Sequence, residues 1–262
     1  MGEEHSQPLE AGTPPLVERI RGVLVEPGAT FGRHDPAWGW VGPWLVVALA
    51  GVLYGLVVLA RIDVVAVQQA EAERAMEQLD PATRRRIESD PKAQEVLATT
   101  QRFMAFFGKV GLIAGPPVTG LGGLLLGGML CFAASTVAAR RTPGAPRPDL
   151  TRCLSLAAHV SLVELVGLGA LTVGVLSGNH APSTSAVNLV DAVTQPVAAA
   201  ALSRVDPVKA LYWVVLAAGL HGSLGLPRRW AVGLAAGGYA VVSLGVVGLA
   251  GLGALASKLG GA

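Results

Sequence analysis

Five stretches of this chain, residues 39–60, 110–138, 153–176, 208–226 and 230–256, are long, apolar and nearly free of charge. A helix needs about 20 mostly apolar residues to cross the hydrocarbon core of a bilayer. Inside that core each backbone N–H and C=O must be satisfied by the protein itself, which a helix does within its own segment. The pattern predicts an all-α, polytopic integral membrane protein with about five transmembrane helices plus interfacial amphipathic helices. Charge supports this. Only 15% of the 262 residues are Asp, Glu, Lys or Arg, against about 25% in soluble domains, and they gather between the apolar stretches. The formal net charge of +2 gives no electrostatic ground for a nucleic-acid partner.

The ends of the stretches carry boundary signals. Trp38, Trp40 and Trp44 open the first span at the depth of an aromatic belt, and Arg61 and Asp63 close it. Arg140 and Arg141 close the second span, and Arg152 opens the third. Pro227-Arg228-Arg229 separates the fourth from the fifth, so these two are expected to form a tight hairpin. Asp-Pro occurs at Asp35, Asp80, Asp90 and Asp206. Asp caps free N–H groups and Pro suits the first helical turn, so each pair predicts a helix start.

The remaining organisation follows. Residues 1–15 are acidic and rich in Pro and Gly, lack the n-region and h-region of a secretory signal, and are predicted to be a disordered tail. Gly2 and Ser6 match the N-myristoylation pattern, although a chain with several spans gains little from one acyl group. Residues 16–38 form an amphipathic lead-in. Leu16, Val17, Ile20, Val23 and Leu24 lie at helical spacing, with Arg19 and Arg21 off the stripe and near lipid phosphates, and Pro27-Gly28 turns the chain into the bilayer. The membrane domain is 39–256. Within it, 62–109 is an outer helical loop and 183–205 an interfacial segment, while 257–262 is a C-terminal tail. Cationic short loops favour the cytoplasm. Arg19, Arg21 and Arg33, then Arg140, Arg141, Arg147 and Arg152, then Arg228 and Arg229 fall on one side if five spans start from an inside N-terminus. The predicted orientation is N-in, C-out.

Several segments in order carry a resemblance. "GVLVEPGATFGRHDP" contains Pro27, Thr30 and Phe31 at the spacing P-x-x-T-F ahead of span one. "MEQLDPATRRRIESDP" is a helical loop, followed by a proline-bearing second span. "LSLAAHVSLVELV" begins the third span and "VDPVKALYWVVLAAGL" the fourth. Together they resemble the Ypt/Rab-interacting protein (Yip) family, and specifically its bacterial members. The resemblance implies a five-span membrane fold in a bacterial inner membrane, and no settled activity. Eukaryotic members bind small GTPases and act in Golgi and ER trafficking. The tail of this chain is shorter than their cytosolic regions, so small GTPase binding is not carried over.

Among residues that could carry chemistry, Glu164 stands out. An ionised carboxylate near the centre of a span costs about 2.5–3.5 kcal/mol, so it must be protonated, paired or wet. It is either a proton or cation site or an interhelical packing bond. His159 lies about 140° around a straight helix from it, so a partner would come from elsewhere, and His221 on the fourth span is a candidate. Pro116 and Pro117 remove two helical hydrogen bonds, free the carbonyls near Leu112 and Ile113, and predict a kink. Those carbonyls must then meet a donor in a neighbouring helix or in water. Gly123-xxx-Gly127 and Gly233-xxx-Gly237 permit close helix contact.

Enzyme signatures are missing. The sequence has no Walker loop, no H-E-x-x-H and no C-x-x-C, and Cys131 and Cys153 fit no metal spacing. "HGSLG" at His221 lacks the first glycine of a nucleophile elbow. The expectation is a non-enzymatic protein without cofactor or metal, working on the lipid bilayer, a membrane-protein partner or a second copy of itself. Its expected role is membrane organisation or scaffolding. The alternative is a small-solute or proton-coupled transporter using Glu164 and the kinked second span.

Overall fold

The computed structural model describes residues 14–33, 39–77, 79, 81–141, 149–179, 182–190 and 195–260. Among these residues the secondary structure is helical, with no strand. Two short helices, α1 (Leu16–Val25) and α2 (Pro27–Gly32), precede α3 (Val41–Arg61). Next come α4 (Val64–Glu77), α5 (Pro81–Ser89) and the 51-residue α6 (Pro91–Arg141). The chain continues through α7 (Leu150–Ser161), α8 (Glu164–Leu176), a 3-10 turn at Ala186–Leu189 and α9 (Pro196–Leu202). It ends with α10 (Pro207–Gly222) and α11 (Arg228–Gly260).

Aspartate capping explains four of these starts. Asp90 and Asp206 each accept a backbone N–H two residues on, from Lys92 and Val208, as their Asp-Pro pairs predict. Asp63 and Asp149, which no proline follows, cap α4 and α7 in the same way. Asp35 and Asp80 lie outside the described residues, as do Trp38, the tail residues 1–13 and the last two residues.

Four segments are long and apolar enough to cross a membrane: Val41–Arg61, Pro91–Arg140, Leu150–Leu176 and Arg228–Ala256. The chain is therefore an all-α, multi-pass integral membrane protein. The expected fourth span differs. Its helix α10 has 16 residues, about 24 Å of rise, and so falls short of the ~30 Å core. It stops early because the chain unwinds through Ser223, Leu224 and Gly225, the last at φ +66°. The expected hairpin is present, with Leu226 N–H donating to Leu220 C=O and Pro227 leading into α11. The C-terminal tail is shorter than expected, since α11 continues to Gly260.

The third span is not one helix. α7 ends at Ser161, and Leu162 and Val163 tighten into i→i+3 bonds to His159 and Val160 before α8 begins at Glu164. A short 3-10 stretch inside an apolar helix keeps the backbone bonded while turning the side-chain register.

The chain divides into two compact units. Unit 1 comprises residues 1–46, 123–163 and 211–237, and unit 2 comprises 47–122, 164–210 and 238–262. Unit 1 has a side-chain core. Val23, Phe31, Leu156, Val160, Leu162 and Val215 are fully buried there. Unit 2 is marked by close contacts at glycines. A Cβ on Gly51 of α3 would collide with the Pro116 ring, and one on Gly55 with the carbonyl oxygen of Leu112.

Candidate functional site

In unit 1 the lead-in is docked against other helices. α1 packs against α2 and α7. The expected turn at Pro27-Gly28 starts a second helix, because Pro27 occupies the N-terminal position of α2. Thr30 lies against Gly22 so closely that no side chain would fit at Gly22. Phe31 has no exposed surface and enters between Leu156, Gly219 and Gly222. A Cβ on Gly222 would stand 2.9 Å from the backbone of Phe31 and Gly32. The Pro27-x-x-Thr30-Phe31 motif therefore has a mechanical role. Pro27 restarts the helix, Thr30 locks it to α1, and Phe31 pins it to α7 and α10.

Arg19 corrects the sequence reading, which placed it with Arg21 among lipid phosphates. Its Nη1 lies 3.4 Å from Nε2 of His159, and His159 is fully buried. The other ring nitrogen, Nδ1, is 2.7 Å from the carbonyl oxygen of Ser155. A carbonyl only accepts, so Nδ1 carries the proton and Nε2 offers its lone pair to the guanidinium. Burial lowers the Arg19 pKa from its usual value, and an arginine remains charged in that condition. Ser155 also donates its hydroxyl to the Gly39 carbonyl at 3.2 Å. The result is a polar latch between the interfacial helix and α7, made of groups that hold each other.

His221 is likewise structural. Its Nδ1 is 2.8 Å from the Leu226 carbonyl and holds the turn before α11. His221, which the sequence suggested as a partner for Glu164, lies in unit 1, and Glu164 lies in unit 2. Glu164 stands in the first turn of α8, is exposed at the protein surface, and has no hydrogen-bond or ion-pair partner among the described residues. Its position at the end of the 3-10 break was not visible in the apolar run, which contains neither Pro nor a turn dipeptide between His159 and Glu164.

In unit 2, Pro116 and Pro117 lie inside an unbroken α6. Proline at 116 frees the carbonyl of Leu112, and Gly55 of α3 comes up against that oxygen. The contact puts a glycine backbone where a carbonyl needs a neighbour, in the manner of a Cα–H···O approach. The glycines that let α3 meet α6 are Gly51 and Gly55, not those expected to make close contacts. A methyl group at Gly123, Gly233 or Gly237 would have nothing within 4 Å, and one at Gly127 would meet only the Ala157 methyl, at 3.7 Å.

No three His, Cys, Asp or Glu side chains converge on a metal-sized site among the described residues. Cys131 and Cys153 are buried free thiols. Comparison with protein-family models, with curated proteins and with solved structures finds no match to this chain.

Proposed function

We propose that this is a Yip-like, non-enzymatic protein of a bacterial inner membrane that organises its surroundings through lateral contacts of its spans. The observation that carries the proposal is α11. None of its most apolar 18-residue window is buried against the rest of the chain. Val241, Leu244 and Leu249 are 71%, 72% and 70% exposed. Its first turns pack internally, with Ala231 and Ala235 buried and Tyr239 bonded to the Arg204 carbonyl, but the later part of the span offers its flank to a second copy, a partner helix or lipid. Gly245 and Gly248 on the same helix leave room for close approach. In a background with Cys131 and Cys153 replaced by alanine, Val241→Cys, Leu244→Cys and Leu249→Cys are expected to cross-link between copies in native membranes. Cross-linking at none of the three, with a single-copy mass in detergent, would sink self-association through α11.

One observation favours transport as a second reading. Glu164 opens the second half of an interrupted span, where discontinuous helices of transporters place ion sites. Glu164→Cys in the same background separates the two. Labelling by a membrane-impermeant thiol reagent would show a wet path to mid-span, and a protected thiol would leave the scaffold reading.

The orientation N-in, C-out is part of the proposal. Unit 1 by itself contains Arg19, Arg21, Arg33, Arg140, Arg152, Arg228 and Arg229, which supports a cytoplasmic face for that unit. It requires the short α10 to count as a crossing. A periplasm-active reporter fused after Ala262 that stayed silent would overturn it.

A further inference from the structure

In unit 2, α4 and the first five turns of α6 enclose an open groove of about 960 Å³, within the size range of pockets that hold small organic ligands. Its walls are mainly apolar, with Val65 from α4 and Leu97, Met104 and Phe106 from α6. Two cations stand in it, Arg102 and Lys109, and among the described residues no acid lines it. They are seven residues apart, which is two turns of one helix face. Neither has an ion-pair or hydrogen-bond partner among the described residues. The groove also holds an unmet acceptor. The Oε1 of Gln68 is buried without a donor, and its amide lies against Gly108, where a Cβ would stand 2.5 Å from Nε2.

The depth of the groove narrows the occupant. Lys109 directly precedes the apolar stretch of α6, and Phe103, Phe106 and Phe107 beside it are 60%, 62% and 50% exposed. Phe107 meets Phe103 at a tilt and Phe106 edge-to-face, with ring centroids 4.3 and 5.4 Å away. Cations at the end of a span beside exposed apolar side chains mark the boundary between headgroups and acyl chains. An occupant must therefore bring an apolar tail for Leu97 and Met104, an anion for Arg102 and Lys109, and a hydroxyl donor for Gln68.

We propose that this groove is a binding site for one anionic phospholipid with a hydroxyl-bearing headgroup. It is a site on the outer helices, independent of whether α11 associates with other spans. The phosphate neutralises Arg102 and Lys109, a headgroup hydroxyl donates to Gln68 Oε1, and an acyl chain covers the apolar wall.

The test uses the full-length protein in mild detergent, titrated with phosphatidylglycerol or phosphatidylcholine of identical chains and read by native mass spectrometry. One phosphatidylglycerol is expected to be retained about 30-fold better than phosphatidylcholine, the scale set by two cations near an anionic headgroup. Arg102→Gln with Lys109→Gln is expected to erase that preference, and Gln68→Leu to reduce it while leaving the charge intact. Ala98→Trp, which fills the groove at an exposed position on α6, is expected to lose the retained lipid with both cations still present. Circular dichroism confirms that each variant is folded. Equal retention of the two lipids by the wild type would overturn the proposal. So would retention of phosphatidylglycerol by folded Ala98→Trp, or its displacement by millimolar inorganic phosphate alone, which would mark a bare anion site.

Discussion

Units 1 and 2 are built from stretches of similar composition, yet they close in different ways. The largest fully buried side chains, including Phe31, Leu156, Leu162, His159 and Val215, all belong to unit 1. Both units make tight contacts at glycines, unit 1 at Gly22, Gly128, Gly219 and Gly222, but in unit 2 these contacts stand without such a filled core. Gly51 and Gly55 meet α6, Gly108 meets Gln68, Gly167 meets Val208 and Gly174 meets Pro182. The physical difference is what there is to gain. Apolar side chains among lipid tails gain little by moving into protein, so helices there hold together by close backbone approach. Unit 1 has in addition the lead-in α1 and α2, whose apolar stripe lies outside the predicted spans. Burying Val23 of that stripe together with Phe31 removes apolar surface from water or the headgroup region and favours a filled core, while Val17 stays exposed.

The sharpest way to break this contrast is Phe31→Ala. Emptying a fully enclosed aromatic site is expected to cost about 3–5 kcal/mol, read as the unfolding midpoint in detergent. A wild-type midpoint would mean that unit 1 does not depend on side-chain filling. Next comes Gly55→Val, where the new Cβ meets a carbonyl oxygen held in α6. The expected loss is about 1–3 kcal/mol, whereas Gly233→Val, in open space, should stay within about 0.5 kcal/mol of wild type. Equal effects at the two positions would remove the glycine contact as the organising feature of unit 2. Arg19→Met takes the guanidinium away from buried His159 Nε2, and a loss of about 1–2 kcal/mol is expected. The companion measurement is protease access to residues 16–33, which should rise as the latch opens. Tyr239→Phe deletes one hydrogen bond from α11 to the Arg204 carbonyl, 2.5 Å long, and should cost about 1 kcal/mol. The smallest effect belongs to Glu88→Gln. Its 2.8 Å pair with Arg84 is solvent-exposed on both sides, and no measurable shift in midpoint is expected.

The candidate residues were legible to unequal degrees. Pro27, Thr30 and Phe31 could be picked out as a motif, but only the packing of Phe31 between Leu156 and two glycines of α10 gives them a role. Pro116 and Pro117 announced their freed carbonyls directly, because the missing N–H is a property of proline alone. Which helix would answer them was not legible, since Gly51 and Gly55 look no different in sequence from Gly233 and Gly237. The two histidines could not be assigned from sequence either. A histidine's role depends on which groups stand at its two nitrogens, and for His159 one of these comes from 140 residues away.

By itself the sequence determined that this chain is helical and lives in a bilayer. Length, charge distribution and cap residues act locally, and the hydrocarbon core forces each segment to satisfy its own backbone. The tertiary structure alone decided that α10 stops at 16 residues, that the third span breaks before Glu164, and that Arg19 turns inward to His159. It also decided where the groove over Arg102 and Lys109 opens. The Arg19 contact and the groove depend on residues far apart in the chain, and helical periodicity carries no information about which distant face a side chain will meet.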